Sequence, residues 1–179
     1  MLNIVQENVR QVVKIFYNMM TKIKDNLKTV GRFRITTYKA GTKEIIKQSN
    51  WIKNLVVLNA TGNGHGMNLL VKRLIGNTTT DLVITQAKIG TGDTAPTDND
   101  TDLETAVLSG IIVADTIETS ADVATISFFM TDAELADGEY KEFGIFCGTQ
   151  VFARALILPT YTKATGQDTS VEYEITVTN

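Results

Sequence analysis

The stretch 139–158, EYKEFGIFCGTQVFARALIL, limits the choice of folds more than any other part of the chain. Tyr140, Phe143, Ile145 and Phe146 lead up to Gly148-Thr149, and the residues from Val151 to Leu158 run away from it almost unbroken in apolar character. Two β-rich runs split by a Gly-X pair specify a hairpin, because Gly148 takes the positive φ that a type II′ turn requires at its first central position. A two-stranded hairpin is marginal alone, so its apolar face requires cover from further strands.

The rest of the chain supplies them. Phe33, Ile35 and Thr37 alternate with Arg34, Thr36 and Tyr38, and Gly41-Thr42 turns the chain into 44–48, a hairpin with a basic, solvated face. Trp51 to Leu58 is a second apolar run, its single Trp read as a core or subunit-contact anchor. Leu108 to Ile117 and Val123 to Met130 follow, and Val171, Tyr173, Ile175 and Val177 alternate with Glu172, Glu174 and Thr176. With strands at this spacing the expectation is a mainly β chain, an antiparallel β-sandwich of about eight to nine strands over 31–179. Pro96 and Pro159 are assigned to connections, where a missing N–H does no harm. The run from Met67 to Ile75 predicts a short internal helix. Thr101 and Glu104 read as a capping box, which predicts a helical turn through Val107.

Residues 3–28 have a different period. Val5, Val9, Val12, Phe16, Met19 and Ile23 recur at heptad spacing, with Lys and Arg on much of the remaining surface. This predicts an amphipathic N-terminal helix within 1–30, closed by Gly31, that either assembles with copies of itself or a partner, those six positions being the candidate assembly residues, or docks on its own domain; a membrane-surface helix is the weaker alternative. Residues 1–73 hold thirteen Lys/Arg against three Asp/Glu, a net +10, and the remainder carries −13. Halves this polarised attract each other within a subunit or between neighbours; a basic face for nucleic acid, through Lys14, Lys22, Lys24, Lys28, Arg32 and Arg34, is the weaker alternative, since no aromatics interleave for base stacking.

Several chemistries find little support. Glu7, Arg10 and Lys14 interrupt the N-terminal apolar positions, so neither a signal peptide nor a membrane span is expected, and the reading is a soluble protein made in a cytoplasm. Cys147, the one cysteine, reads as an inert packed thiol. The 62–66 stretch GNGHG departs from GxGxxG and lacks a Walker lysine; it reads as a flexible turn with a solvated His65. Asp98, Asp100 and Asp102 begin a calcium-loop pattern that fails at Leu103 and Ser109. No catalytic residue, cofactor site or metal site is assigned, and the expectation is a protein that is not an enzyme. Trp51, Tyr38 and Tyr161 are the candidates for a glycan-stacking shelf.

Four pieces occur in a telling order: WIKNLV from Trp51 with GMNLL from Gly66; IGTGDTAPT from Ile89 with Thr101-Asp-Leu; EFGIF from Glu142; and VFARA from Val151 with Lys163 and the alternating terminal strand. In this order they resemble bacteriophage tail-fibre and baseplate-associated virion structural proteins, over residues 50–178. The resemblance implies a non-enzymatic, β-rich virion component of tail, baseplate or fibre attachment, assembled in the host cytoplasm as a homo-oligomer with other virion proteins as neighbours. A capsid decoration or head-fibre protein, and a glycan- or nucleic-acid-binding module, are the alternatives.

Overall fold

The computed structural model describes residues 28–57, 65–79 and 81–178, which form ten strands and one helix. In chain order these are β1 (Lys28–Lys39), β2 (Ile45–Gln48), β3 (Ile52–Lys53), β4 (Leu55–Val56), α1 (Met67–Leu74), β5 (Gln86–Gly90), β6 (Ala106–Ser120), β7 (Val123–Met130), β8 (Gly138–Cys147), β9 (Gln150–Lys163) and β10 (Gln167–Thr178). Of the chain's two compact units, Thr29–Val177 contains nearly all of them. The six candidate assembly residues, Val5, Val9, Val12, Phe16, Met19 and Ile23, lie outside the described residues.

The strands join in one curled antiparallel sheet, in the order β2-β1-β10-β7-β6-β5-β8-β9-β4, with β3 on β1. Two places produce the curl. Ala87 pairs with Ile111 but Ile89 with Leu108, so β6 carries an extra residue opposite β5, beside Gly110 at φ 73°. Such a bulge bends the strand. Its first half therefore pairs with β5 and its second half with β7. At the other end of the sheet, Ile52 and Lys53 pair with Phe33 and Arg32 on β1, whereas Leu55 and Val56 pair with Arg154 and Ala153 on β9. The stretch 52–56 thus links the β1 side to the β9 side.

Aromatic contacts fill the interior. The Phe143 ring on β8 lies 5.3 Å from Phe33 on β1 and 5.9 Å, edge-on, from Phe128 on β7, strands to which β8 is not hydrogen-bonded. Ile35, Ile89, Ile145, Val171 and Tyr173 complete the same buried cluster. The alternation of β1 and β10 has its expected consequence: Phe33 and Val171 face inward, while Arg32 pairs with Glu174 at 2.7 Å and Arg34 with Glu172. Part of the charge asymmetry is therefore neutralised within the subunit.

The β8–β9 hairpin forms with Gly148-Thr149 as its loop, Cys147 opposite Gln150 and Gly148 at φ 59°. Three expectations need correction. Gly31 does not close a helix; it lies inside β1, where a Cβ would strike the Tyr173 hydroxyl and the Asn54 side chain. Pro159 lies within β9 rather than in a connection. There β9 advances from Leu156 to Tyr161 while β8 advances only from Glu142 to Tyr140, so the proline occupies a bulge that asks no ladder bond of it. Residues 101–105 are not helical and Val107 belongs to β6. The capping box fails because the Glu104 carboxylate accepts from Thr94 instead, N–H and hydroxyl both at 2.8 Å. Trp51, expected as a core or subunit-contact anchor, is half-buried and not part of the main core, with the Arg32 and Arg34 guanidinium carbons 4.5 and 4.8 Å from its ring centroid.

Candidate functional site

The densest polar chemistry lies on the outer face of the β8–β9 hairpin. Along β8, Phe143, Ile145 and Cys147 face the interior, so Glu142, Gly144 and Phe146 face the other way; on β9, Arg154 stands opposite Gly144. The 91–105 loop lies across this face. Arg154 is 3% and Glu142 0% exposed. Two opposite charges this deep require complete partnering, because desolvation costs each of them several kcal/mol.

They have it. The Glu142 carboxylate accepts from the backbone N–H of Gly92 at 3.1 Å, Glu104 at 3.0 Å and Thr105 at 2.7 Å, and from Arg154 Nε at 3.0 Å. Arg154 also donates to Asp100 at 2.8 Å and to the Thr94 carbonyl at 3.1 Å. Burial alone would raise the Asp100 pKa, but hydrogen bonds from Thr97 and Arg154 outweigh it and hold the carboxylate below its ordinary value. The Arg154 guanidinium is in turn held above its ordinary value, its carboxylate partners outweighing the opposing effect of burial. Leu103 anchors the loop in a second apolar cluster with Val57, Phe146 and Val151. Lys88 pairs with Asp102 at 2.7 Å and stands 4.4 Å over the Phe146 ring.

This arrangement accounts for the glycines of IGTGD. A Cβ on Gly92 would lie 2.6 Å from Glu142 Oε1 and 2.6 Å from Glu104 Cβ, and one on Gly90 would meet the Thr105 carbonyl. Gly92→Ala is expected to destabilise the chain by about 1–3 kcal/mol, an overpacking cost. Thermal unfolding reads the loss, and limited proteolysis should show earlier cleavage within 91–105.

A second buried cation, Lys163 on β9, serves the 131–137 connection. Its side chain is 1% exposed and pairs with Asp132 and, at 2.9 Å, with Asp137. Burial lowers its pKa, but the two carboxylates prevail and the net shift is upward. Both clusters are loop clamps. The three calcium-pattern carboxylates divide accordingly: Asp100 is committed to Thr97 and Arg154, Asp102 to Lys88, and Asp98 is exposed.

His65 is not solvated, which corrects the expectation. It is buried, and its Nδ1 accepts from the Val151 N–H at 3.2 Å. Burial, then the charge of Lys72, pushes its pKa down. The unfolded chain therefore takes up a proton near pH 6.5 that the folded chain resists. Stability is expected to fall as pH drops below about 6.5, and His65→Gln should flatten the slope between pH 7.5 and 5. Equal slopes in urea titrations of the two proteins would contradict this. Cys147 is buried too, and desolvation raises its thiol to about 12.

The glycan candidates separate. Trp51 and Tyr161 line one groove of about 420 Å³ with Gln48, Ser49 and Asn50, whereas Tyr38 lines another with Phe129. Of the nucleic-acid candidates, Arg32 and Arg34 are paired with Glu174 and Glu172, and Lys14, Lys22 and Lys24 lie outside the described residues. No described helix is long and apolar enough to cross a membrane. The sequence reading missed Glu142, Arg154 and Lys163 as buried charges; each stands in or beside an apolar strand run, which is the signal available, but nothing nearby in sequence names its partners. Comparison with protein-family models, characterised proteins and solved structures finds no match to this chain.

Proposed function

We propose that this chain is a non-enzymatic structural component of a bacteriophage virion, in the tail, the baseplate or a fibre attachment. It assembles as a multimer through its N-terminal segment and its β body, which we read as a sandwich whose two faces meet at Phe33 and Phe143. The observation carrying this is convergence: IGTGDTAPT, EFGIF and VFARA, which underlie the resemblance, meet in one buried clamp, and WIKNLV runs along its edge through the Leu55–Arg154 pairing. Glu142 and Arg154 are wholly engaged in holding the loop, which suits a rigid building part.

Assembly through the N-terminal segment has a direct test. Val9→Asp with Phe16→Asp places charge on the heptad ridge, and light scattering is expected to show the oligomer reduced to single chains. An unchanged mass would remove the segment from the assembly. Position in the particle is tested by imaging virions that carry a tagged copy. A glycan-binding role is the second reading, favoured by the groove shared by Trp51, Tyr161 and the polar residues 48–50. Silence on a glycan array would eliminate it.

A further inference from the structure

We propose that an apolar trough at one end of the curled sheet is the acceptor for the N-terminal segment of a second copy of this chain. The inference rests on the multimeric reading above and names the surface that completes it. The trough, of about 490 Å³, is walled by Leu82 and Val83 before β5, Ile117 on β6, Phe152 on β9, and Ile175 and Val177 on β10. Phe152 belongs to the main core and Ile175 packs against it, whereas Val83 and Ile117 are each 55% exposed. Apolar surface therefore runs from the core out to solvent across elements far apart in sequence. Single exposed apolar residues need no explanation, but a contiguous set leading out of a core marks an interaction site.

Charge and spacing select the occupant. Glu118 lines the trough, and Asp81, which also pairs with Arg73 at 3.8 Å, lies close enough to Cys147 in the lining for its charge to act on that thiol, so acidic groups stand at the apolar walls. Residues 1–28 carry Arg10, Lys14, Lys22, Lys24 and Lys28 against Glu7 and Asp25, a net cationic stretch. Their apolar positions recur at the spacing by which an amphipathic helix places anchors in a groove. Apolar Val, Phe and Met positions flanked by Lys and Arg complement an apolar trough that carries Glu118, and the chain holds both halves of the pair. Seating the segment of one copy in the trough of the next builds a multimer from a single interface type.

The test uses full-length chains. Val83→Lys with Ile117→Lys alters exposed positions, so the body is expected to melt as the unaltered protein does while the oligomer reduces to single chains. Mixing this variant with Val9→Asp/Phe16→Asp is expected to restore a two-chain complex, since the first brings an intact segment and the second an intact trough. If the trough variant keeps the original mass, the trough is not the acceptor, though the segment's role stands. If the ridge variant keeps it, the underlying reading fails instead. Two monomeric variants that do not associate on mixing also overturn the proposal. Should the double lysine variant fail to fold, Val177→Lys on the facing wall asks the same question.

Discussion

Arg154→Met is expected to destabilise the protein by about 3–5 kcal/mol, the range for removing one partner of a buried ion pair. The loss is not that of an attraction alone. Glu142 would stay at 0% exposure with three backbone N–H donors but no cation, and Asp100 would lose the charge that helps hold it ionised. Replacing a whole buried pair with apolar residues is often neutral. Here it is not expected to be, because Glu142→Leu with Arg154→Met would leave the amides of Gly92, Glu104 and Thr105 without their acceptor. Chemical denaturation of the single and double variants measures both points. A double variant as stable as the parent would show that the clamp contributes nothing net.

Phe143→Ala is expected to cost about 3–5 kcal/mol, a transfer loss plus a cavity. Its ring is the one that Phe33 and Phe128 both contact, so removing it leaves a void between strands that no backbone bond draws together. For a domain of this size the melting temperature should drop on the order of 10 °C. Phe143→Leu retains most of the volume and should cost clearly less. Equal melting of the Ala and Leu variants would mean that the interior closes around the gap.

What was legible beforehand has a common character. The β8–β9 hairpin, the alternation of β1 and β10, and α1 rest on side-chain periodicity and on one glycine turn, all of which act over a few residues. Where such signals were misread, a distant partner had intervened. Gly31 looked like a helix stop, but it is glycine because Tyr173 and Asn54 approach it. Glu104 looked like a capping residue, but its carboxylate is held by Thr94 across the loop. His65 looked like a solvated loop residue until Val151 was found donating to it.

The sequence by itself determined that this is a β-rich chain built around one hairpin, preceded by a net cationic segment whose apolar residues recur at heptad spacing, because periodicity and turn chemistry are local properties. Only the tertiary structure decided that the hairpin is covered on both faces, that Glu142 and Arg154 lock the 91–105 loop, and that Val83, Ile117 and Val177 share one trough. Those outcomes depend on groups such as Gly92 and Glu142, 50 residues apart, or Arg154 and Asp100, 54 apart. A buried charge discloses that it must have a partner, but which partner is a matter of the folded path.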